Sequence, residues 1–203
     1  MRKMMKPLDG AELKKLYVDK KKSSRQIAEI FGCSGHKVNY WLAKHNIVKR
    51  SLSEAIYVSC NPDGNPFNVK EVKTLSDAKL LGLGLGLYWG EGNKKNKNAI
   101  RLGNTDPKLI KNFIRFLIVI LGIDKSRLKF GLQIFSDMPK NKSLGFWIDE
   151  LREFDISPKQ FFKIIVTPHR GVGNYKEKSK TGVLTVYFGN VKLKKLLDSM
   201  LPM

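Results

Sequence analysis

LLGLGLGLYWGEGNKK occupies residues 80–95 of the chain. Gly82, Gly86 and Gly90 recur every fourth residue, so in a helix they form a bare stripe along one face. An interior glycine costs about 1 kcal/mol relative to alanine, and several in one helix require a compensating gain. Close approach of a second helix supplies one, because backbones meet where side chains are absent. Most remaining positions are leucine, which predicts a buried, apolar helix over residues 79–91. It ends on Glu91, a lone carboxylate between two glycines, followed by Asn93, Lys94 and Lys95. If two copies of this helix packed through the stripe, two Glu91 carboxylates would meet, and their repulsion would favour a divalent cation between them. Such an ion activates water and stabilises both entering and leaving oxygens in phosphodiester hydrolysis. A tight glycine turn with a solvated glutamate is the plainer alternative.

Downstream, helices and strands alternate. AIRLGN at 99–104 reads as a strand, and Asp106 and Pro107 open a helix over 106–121. RLKFGLQIF, 127–135, sets Leu128, Phe130, Leu132 and Ile134 on one side and Arg127, Lys129 and Gln133 on the other. A helix over 142–154, a strand FKIIVTP at 162–168, a basic loop VGNYKEKSK at 172–180 and a strand GVLTVYF at 182–188 follow, with a last helix over about 190–200. The repeated polar or basic outer positions imply one sheet, apolar behind and facing a partner in front. A merely solvated outer face is the alternative.

Upstream, SCNPDGNPFN at 59–68 concentrates residues that break both periodic structures. It divides the chain into a unit over 1–60, a linker over 61–74 and a unit over 75–203. In the first unit, Asp9 and Glu12 have capping-box spacing before Leu13, Leu16 and Tyr17. Ser23 and Gln26 repeat it before Ile27, Ala28 and Phe31, and Gly32 suits a left-handed helix end. Ser34 caps a third helix with Val38, Trp41 and Leu42 inward. The helix, tight turn and helix of residues 23–47 are those of a helix-turn-helix. Its outer residues Arg25, His36, Lys37, Asn39, Tyr40 and Lys44 are placed for a major groove, although an ordinary three-helix bundle has the same apolar pattern. His36 and His45 lack ligand partners nearby in sequence, so groove-facing or solvent roles outrank metal.

The charge agrees with a polyanionic partner. Thirty-eight Lys and Arg against 18 Asp and Glu give +20, an excess that opposes compaction and favours phosphate contacts. Residues 1–74 carry 15 basic and 7 acidic side chains, and residues 75–203 carry 23 and 11, so both units bear the excess. Cys33 and Cys60 lie in no CxxC and near no histidine cluster, which predicts neither disulfide nor zinc and fits a reducing cytosol. The start MRKMMKPLDG has no signal-peptide core, and FLIVILGI at 116–123 is too short to span a bilayer. These features lead us to expect a cytoplasmic, DNA-associated protein with no membrane partner.

GLYWGEG, 86–92, resembles the LAGLIDADG motif of homing endonucleases, an apolar glycine-containing helix ending in an acid followed by Gly. The resemblance covers about residues 75–203 and leaves the helix-turn-helix outside it. It implies an α+β protein: a helix-turn-helix bundle plus an αββαββα-type domain whose antiparallel sheet sits on DNA like a saddle. The motif's last acid, which binds the catalytic metal in that family, falls on Glu91; its earlier acid falls on Trp89, a departure. Lys163 is the candidate for the basic residue that often completes the site. With a single motif, the family pattern implies a homodimer through Gly82, Gly86 and Gly90. The expected function is metal-dependent cutting of double-stranded DNA, with Mg²⁺ or Mn²⁺ and no small-molecule cofactor. Lys94, Arg101, Arg127, Lys129, Gln133, Arg170, Lys176, Lys178 and Lys180 are the expected DNA contacts of this unit. A non-cleaving transcription regulator on the same scaffold and an RNA-binding splicing cofactor are the alternatives.

Overall fold

The structure, a computed structural model, describes residues 7–168 and 180–202. The chain divides after Pro66 into two compact units.

The first unit opens with α1 (Gly10–Lys14), which widens into a π-helical turn over Lys15–Asp19. Then come α2 (Ser24–Ile30), α3 (Gly35–Lys44) and α4 (Leu52–Cys60). The caps are those the sequence predicts. Asp9 accepts from the Glu12 N–H, Ser23 and Gln26 form a reciprocal capping box, and Ser34 accepts from the Lys37 N–H. Gly32 has φ +57°, the left-handed conformation that ends α2 without a Cβ clash. The small core joins Leu13, Leu16 and Tyr17 to Ile27, Ala28, Val38 and Leu42, the inward faces expected. Arg50 closes the unit from outside: it stacks 4.2 Å over the Tyr17 ring and donates to the carbonyls of Lys21 and Lys22. The short helix α4 was not expected, although Ser51 caps it through the Glu54 N–H.

The second unit contains α5 (Leu75–Glu91), β1 (Ile100–Asn104), α6 (Pro107–Val119), β2 (Lys129–Phe135), α7 (Lys140–Glu150), β3 (Ile165–Thr167), β4 (Val183–Phe188) and α8 (Val191–Ser199). Residues 67–74, expected as linker, belong to it. The Asn68 and Lys70 N–H groups donate to the carbonyls of Gly122 and Ile120, and Phe67 and Val69 pack on the core. Gly122 permits this contact, since a Cβ there would lie 2.1 Å from the Asn68 carbonyl oxygen. The Lys70 ammonium bonds the buried Asp77 carboxylate at 2.8 Å and holds its pKa below the usual value.

The fold is α+β, with an open four-stranded sheet in the order β1-β4-β2-β3. An all-antiparallel sheet was expected, and the structure corrects this. β4 is antiparallel to β1 and β2, but β3 runs parallel to β2. The chain leaves β2 through α7 before reaching β3, and such a crossover returns a strand in the same direction. Ile100, Leu102, Phe130, Leu132, Ile134, Leu184, Val186 and Phe188 line the inner face and are buried against α5 to α8. The arrangement follows the layer rule that an apolar sheet face must be covered.

Gly84, unlike the striped glycines, faces this core. A Cβ there would lie 2.0 Å from Cγ of the fully buried Phe116. Gly84→Ala is therefore expected to destabilise the protein by about 1–3 kcal/mol, read as a lower denaturation midpoint. An unchanged midpoint would mean that α5 and α6 do not pack this closely.

Candidate functional site: the end of α5 and the open sheet face

Thr74 starts α5 by accepting from the Asp77 N–H. The helix ends on Glu91, and Gly92 leaves it with extended backbone. Glu91 is anchored on both sides. The Gly92 N–H donates to the Tyr88 carbonyl, Gly92 bridges Leu102 of β1, and the Asn93 N–H donates to the Arg101 carbonyl at 2.9 Å. Gly92 is required here, since a Cβ would lie 2.3 Å from both the Tyr88 ring and the Tyr88 carbonyl oxygen. Tyr88 is buried beneath it, stacked on Phe113, with its hydroxyl donating to the Asn93 carbonyl. Burial pushes the Tyr88 hydroxyl pKa up. The Lys194 ammonium, 1% exposed, lies 5.7 Å from the ring centroid and pairs with Asp198. Burial works to lower its pKa, but the bonds to Asp198 and Tyr88 outweigh burial and leave it raised. The Glu91 carboxylate itself is exposed, and among the described residues no hydrogen bond or ion pair holds it. The backbone is thus anchored at Glu91, while its side chain extends into solvent.

Gly82, Gly86 and Gly90 lie on the exposed face of the helix. A Cβ at any of them would meet nothing within 4 Å among the described residues. Leu75 and Trp89 extend the same apolar strip into solvent. The helix is therefore half-buried, where the leucine pattern predicted full burial, and the open side is the striped one.

Three of the residues expected as DNA or catalytic residues have surroundings that the sequence did not indicate. Lys94 donates its ammonium to the Trp89 carbonyl and so satisfies the end of α5. Lys163 is exposed, but it follows Phe161, which bridges β2, whereas Glu91 adjoins β1 at the other edge of the sheet. Three strand spacings separate them, at least about 14 Å, so one chain does not bring the two together. Arg127 sits in a single helical turn before β2, outside the strand itself, and its nearness helps to lower the Asp124 pKa, after the two Ser126 hydrogen bonds. Among the described residues, no group of three or more His, Cys, Asp or Glu side chains gathers to hold a metal.

The outer sheet face brings together two of the basic residues expected of it, Arg101 and Lys129. Arg101, Tyr187 and Lys129 stand side by side on β1, β4 and β2. Gly103, Thr185 and Gly131 form the next row, and Val183, Gln133 and Ile165 the third. The Arg101 guanidinium lies 5.1 Å from the Tyr187 centroid, and Gln133 donates its amide to Thr167 Oγ1 at 2.9 Å. Tyr187 and the neighbouring Phe162 escaped sequence reading, because an aromatic in a strand looks like core. The alternation of 182–188 with its buried Leu184, Val186 and Phe188 was the available signal. Lys180 is exposed in the turn before β4, while Arg170, Lys176 and Lys178 lie outside the described residues.

In the helix-turn-helix, His36, Tyr40 and Lys44 are exposed along α3, with the Lys44 ammonium 5.8 Å over the Tyr40 ring. Lys37 is half-buried on the same helix. Asn39 accepts from Ser24 Oγ at 3.0 Å, which ties α3 to α2. Arg25 is exposed beside Glu29 at 3.5 Å. His45, expected to face a groove or solvent, is exposed, and its Nε2 also bonds the Leu8 carbonyl while its ring stacks on Trp41. No described helix is long and apolar enough to cross a membrane. Comparisons with models of protein families, with curated proteins and with solved structures gave no match.

Proposed function

We propose that the protein is a site-specific, metal-dependent endonuclease of the homing type that cuts double-stranded DNA as a homodimer. One observation carries the reading: Glu91, exposed on an anchored backbone, ends a helix whose glycine stripe is open to a second copy. Gly82 and Gly90 are about 12 Å apart along the axis, and a parallel helix pair meeting along the stripe would bring both Glu91 residues to the same end. The fit to Mg²⁺ or Mn²⁺ depends on that pairing, because each chain offers one carboxylate, and waters and phosphate oxygens would fill the remaining positions. When bound, the cation would supply Lewis-acid activation of water and charge stabilisation at the scissile phosphate. The chain's own residues hold the DNA. His36 and Tyr40 of α3 enter the major groove, Lys44 at the end of α3 contacts a phosphate, and Arg101 and Lys129 bring positive charge to the outer sheet face.

Cleavage of a randomised duplex library with Mg²⁺, Mn²⁺ or EDTA tests the reading. Cutting that EDTA abolishes supports it, and binding without cutting in either metal removes it. The separation of Lys163 from Glu91 favours the second reading, a regulator that binds without cutting. The helix-turn-helix role has its own test. Lys44→Ala is expected to weaken duplex binding about equally across sequences and to reduce the salt slope by about 1, because one phosphate contact is lost. An unchanged slope would mean that α3 does not lie on the backbone.

A further inference from the structure

The outer sheet face holds more than the basic residues that a duplex contact needs. Phe162 is 50% exposed there. Its neighbour Phe161 turns inward and stacks on Phe130 at 5.2 Å, while the Phe162 N–H donates to the Phe130 carbonyl at 2.8 Å. The backbone thus fixes one aromatic in the core and the next on the open face. The Phe162 ring meets Tyr187 edge-on, with centroids 5.5 Å apart and planes at 78°. Beside this pair runs the row Gly103, Thr185, Gly131, which carries no side chain larger than threonine. The glycines make room for their own neighbours, since a Cβ at Gly131 would lie 3.0 Å from the Tyr187 ring and one at Gly103 2.7 Å from Thr185 Oγ1, and Phe162 is the more exposed ring of the aromatic pair. Arg101 and Lys129 flank Tyr187, Gln133 lies across the bare row, and none of the residues in these three rows is acidic.

A half-exposed phenylalanine cannot hydrogen-bond a base edge, and within a stacked duplex the base faces are already covered. It can stack on an unpaired base, as open sheets with aromatic platforms do with single strands. We infer that the outer face of the sheet is a binding platform for unpaired nucleotides. Phe162 is the stacking surface, Tyr187 backs it edge-on, and Arg101 and Lys129 receive the phosphates. The inference goes beyond the endonuclease reading; it needs a nucleic-acid partner but no cleavage and no dimer.

The test uses the full chain and labelled oligo(dT), oligo(U) and duplex DNA, each about 15 nucleotides or base pairs long, within the range one such platform covers. Phe162→Ala is expected to weaken both single strands about 5- to 150-fold, the span for one lost stacked base. Its salt slope should match the wild type, since stacking releases no counterions, whereas Lys129→Ala should have a shallower slope. Duplex affinity should be unchanged in Phe162→Ala. Phe162→Trp should restore single-strand binding, with its added fluorescence quenched by the oligonucleotide. Loss on either single strand supports the platform, and the dT and U arms identify the sugar it accepts. Undiminished single-strand binding by Phe162→Ala, an equal loss on duplex, or a Phe162→Trp variant that neither binds nor is quenched would overturn it. Duplex cleavage would be untouched by that failure, so this result and the endonuclease reading are separable.

Discussion

Glu91→Gln is expected to lower Mg²⁺-dependent cleavage by about a thousandfold or more while duplex affinity holds or rises. Glutamine keeps the size of the side chain and its hydrogen-bonding capacity and removes only the charge. The backbone of Glu91 is fixed by Gly92, Asn93 and Tyr88, and its side chain is exposed, so the substitution should leave the fold unchanged. A thousandfold loss corresponds to about 4 kcal/mol of transition-state stabilisation, in the range a bound metal contributes. Affinity should not fall, because the change removes negative charge from a surface meant to face phosphates. Paired binding and cleavage measurements on a selected site check both halves. Undiminished cleavage by Glu91→Gln would remove Glu91 from the chemistry.

Much of the local structure was legible because it is written in local chemistry. The caps at Ser23, Ser34 and Asp106 have their signal within three residues, and each accepts the backbone N–H that its spacing predicts. The apolar positions of residues 128–134 are buried as their alternation implies. Two local signals went unread: Ser51 and Glu54 start α4, and Thr74 with Asp77 starts α5 at Leu75, four residues before the expected start at residue 79. What periodicity does not encode is which strands become neighbours. The order β1-β4-β2-β3 depends on pairings far apart in sequence, and that order sets Lys163 away from Glu91. The same holds for residues 67–74. They follow directly on the breaker segment 59–68, yet Phe67 and Val69, two apart, both find the core. The glycine stripe carried a different ambiguity. Spacing shows that three glycines share a face, but only the fold shows that Gly84, outside the stripe, is the one packed inside.

Gly86→Leu is expected to convert a dimer into a monomer. No described atom lies within 4 Å of a Cβ at Gly86, so alanine there should relieve about 1 kcal/mol of helix cost if the chain acts alone. Retaining glycine is then a loss with no return within one chain. A second helix against the stripe supplies the return, because two backbones approach closely only where both lack side chains. Leucine at Gly86 would overpack that contact by about 1–3 kcal/mol in each copy. Two copies raise the dissociation constant about 30-fold at the low end and about 10⁴-fold at the high end. Sedimentation over a dilution series, with and without duplex DNA, reads the change directly. Gly86→Ala separates the two accounts by sign: a stabilised fold with unchanged assembly means that the stripe faces only water. A dimer weakened by alanine and abolished by leucine places the stripe at the two-fold contact. A wild-type chain that sediments as a monomer both free and on DNA would end the paired-Glu91 site, because one carboxylate per molecule cannot form it.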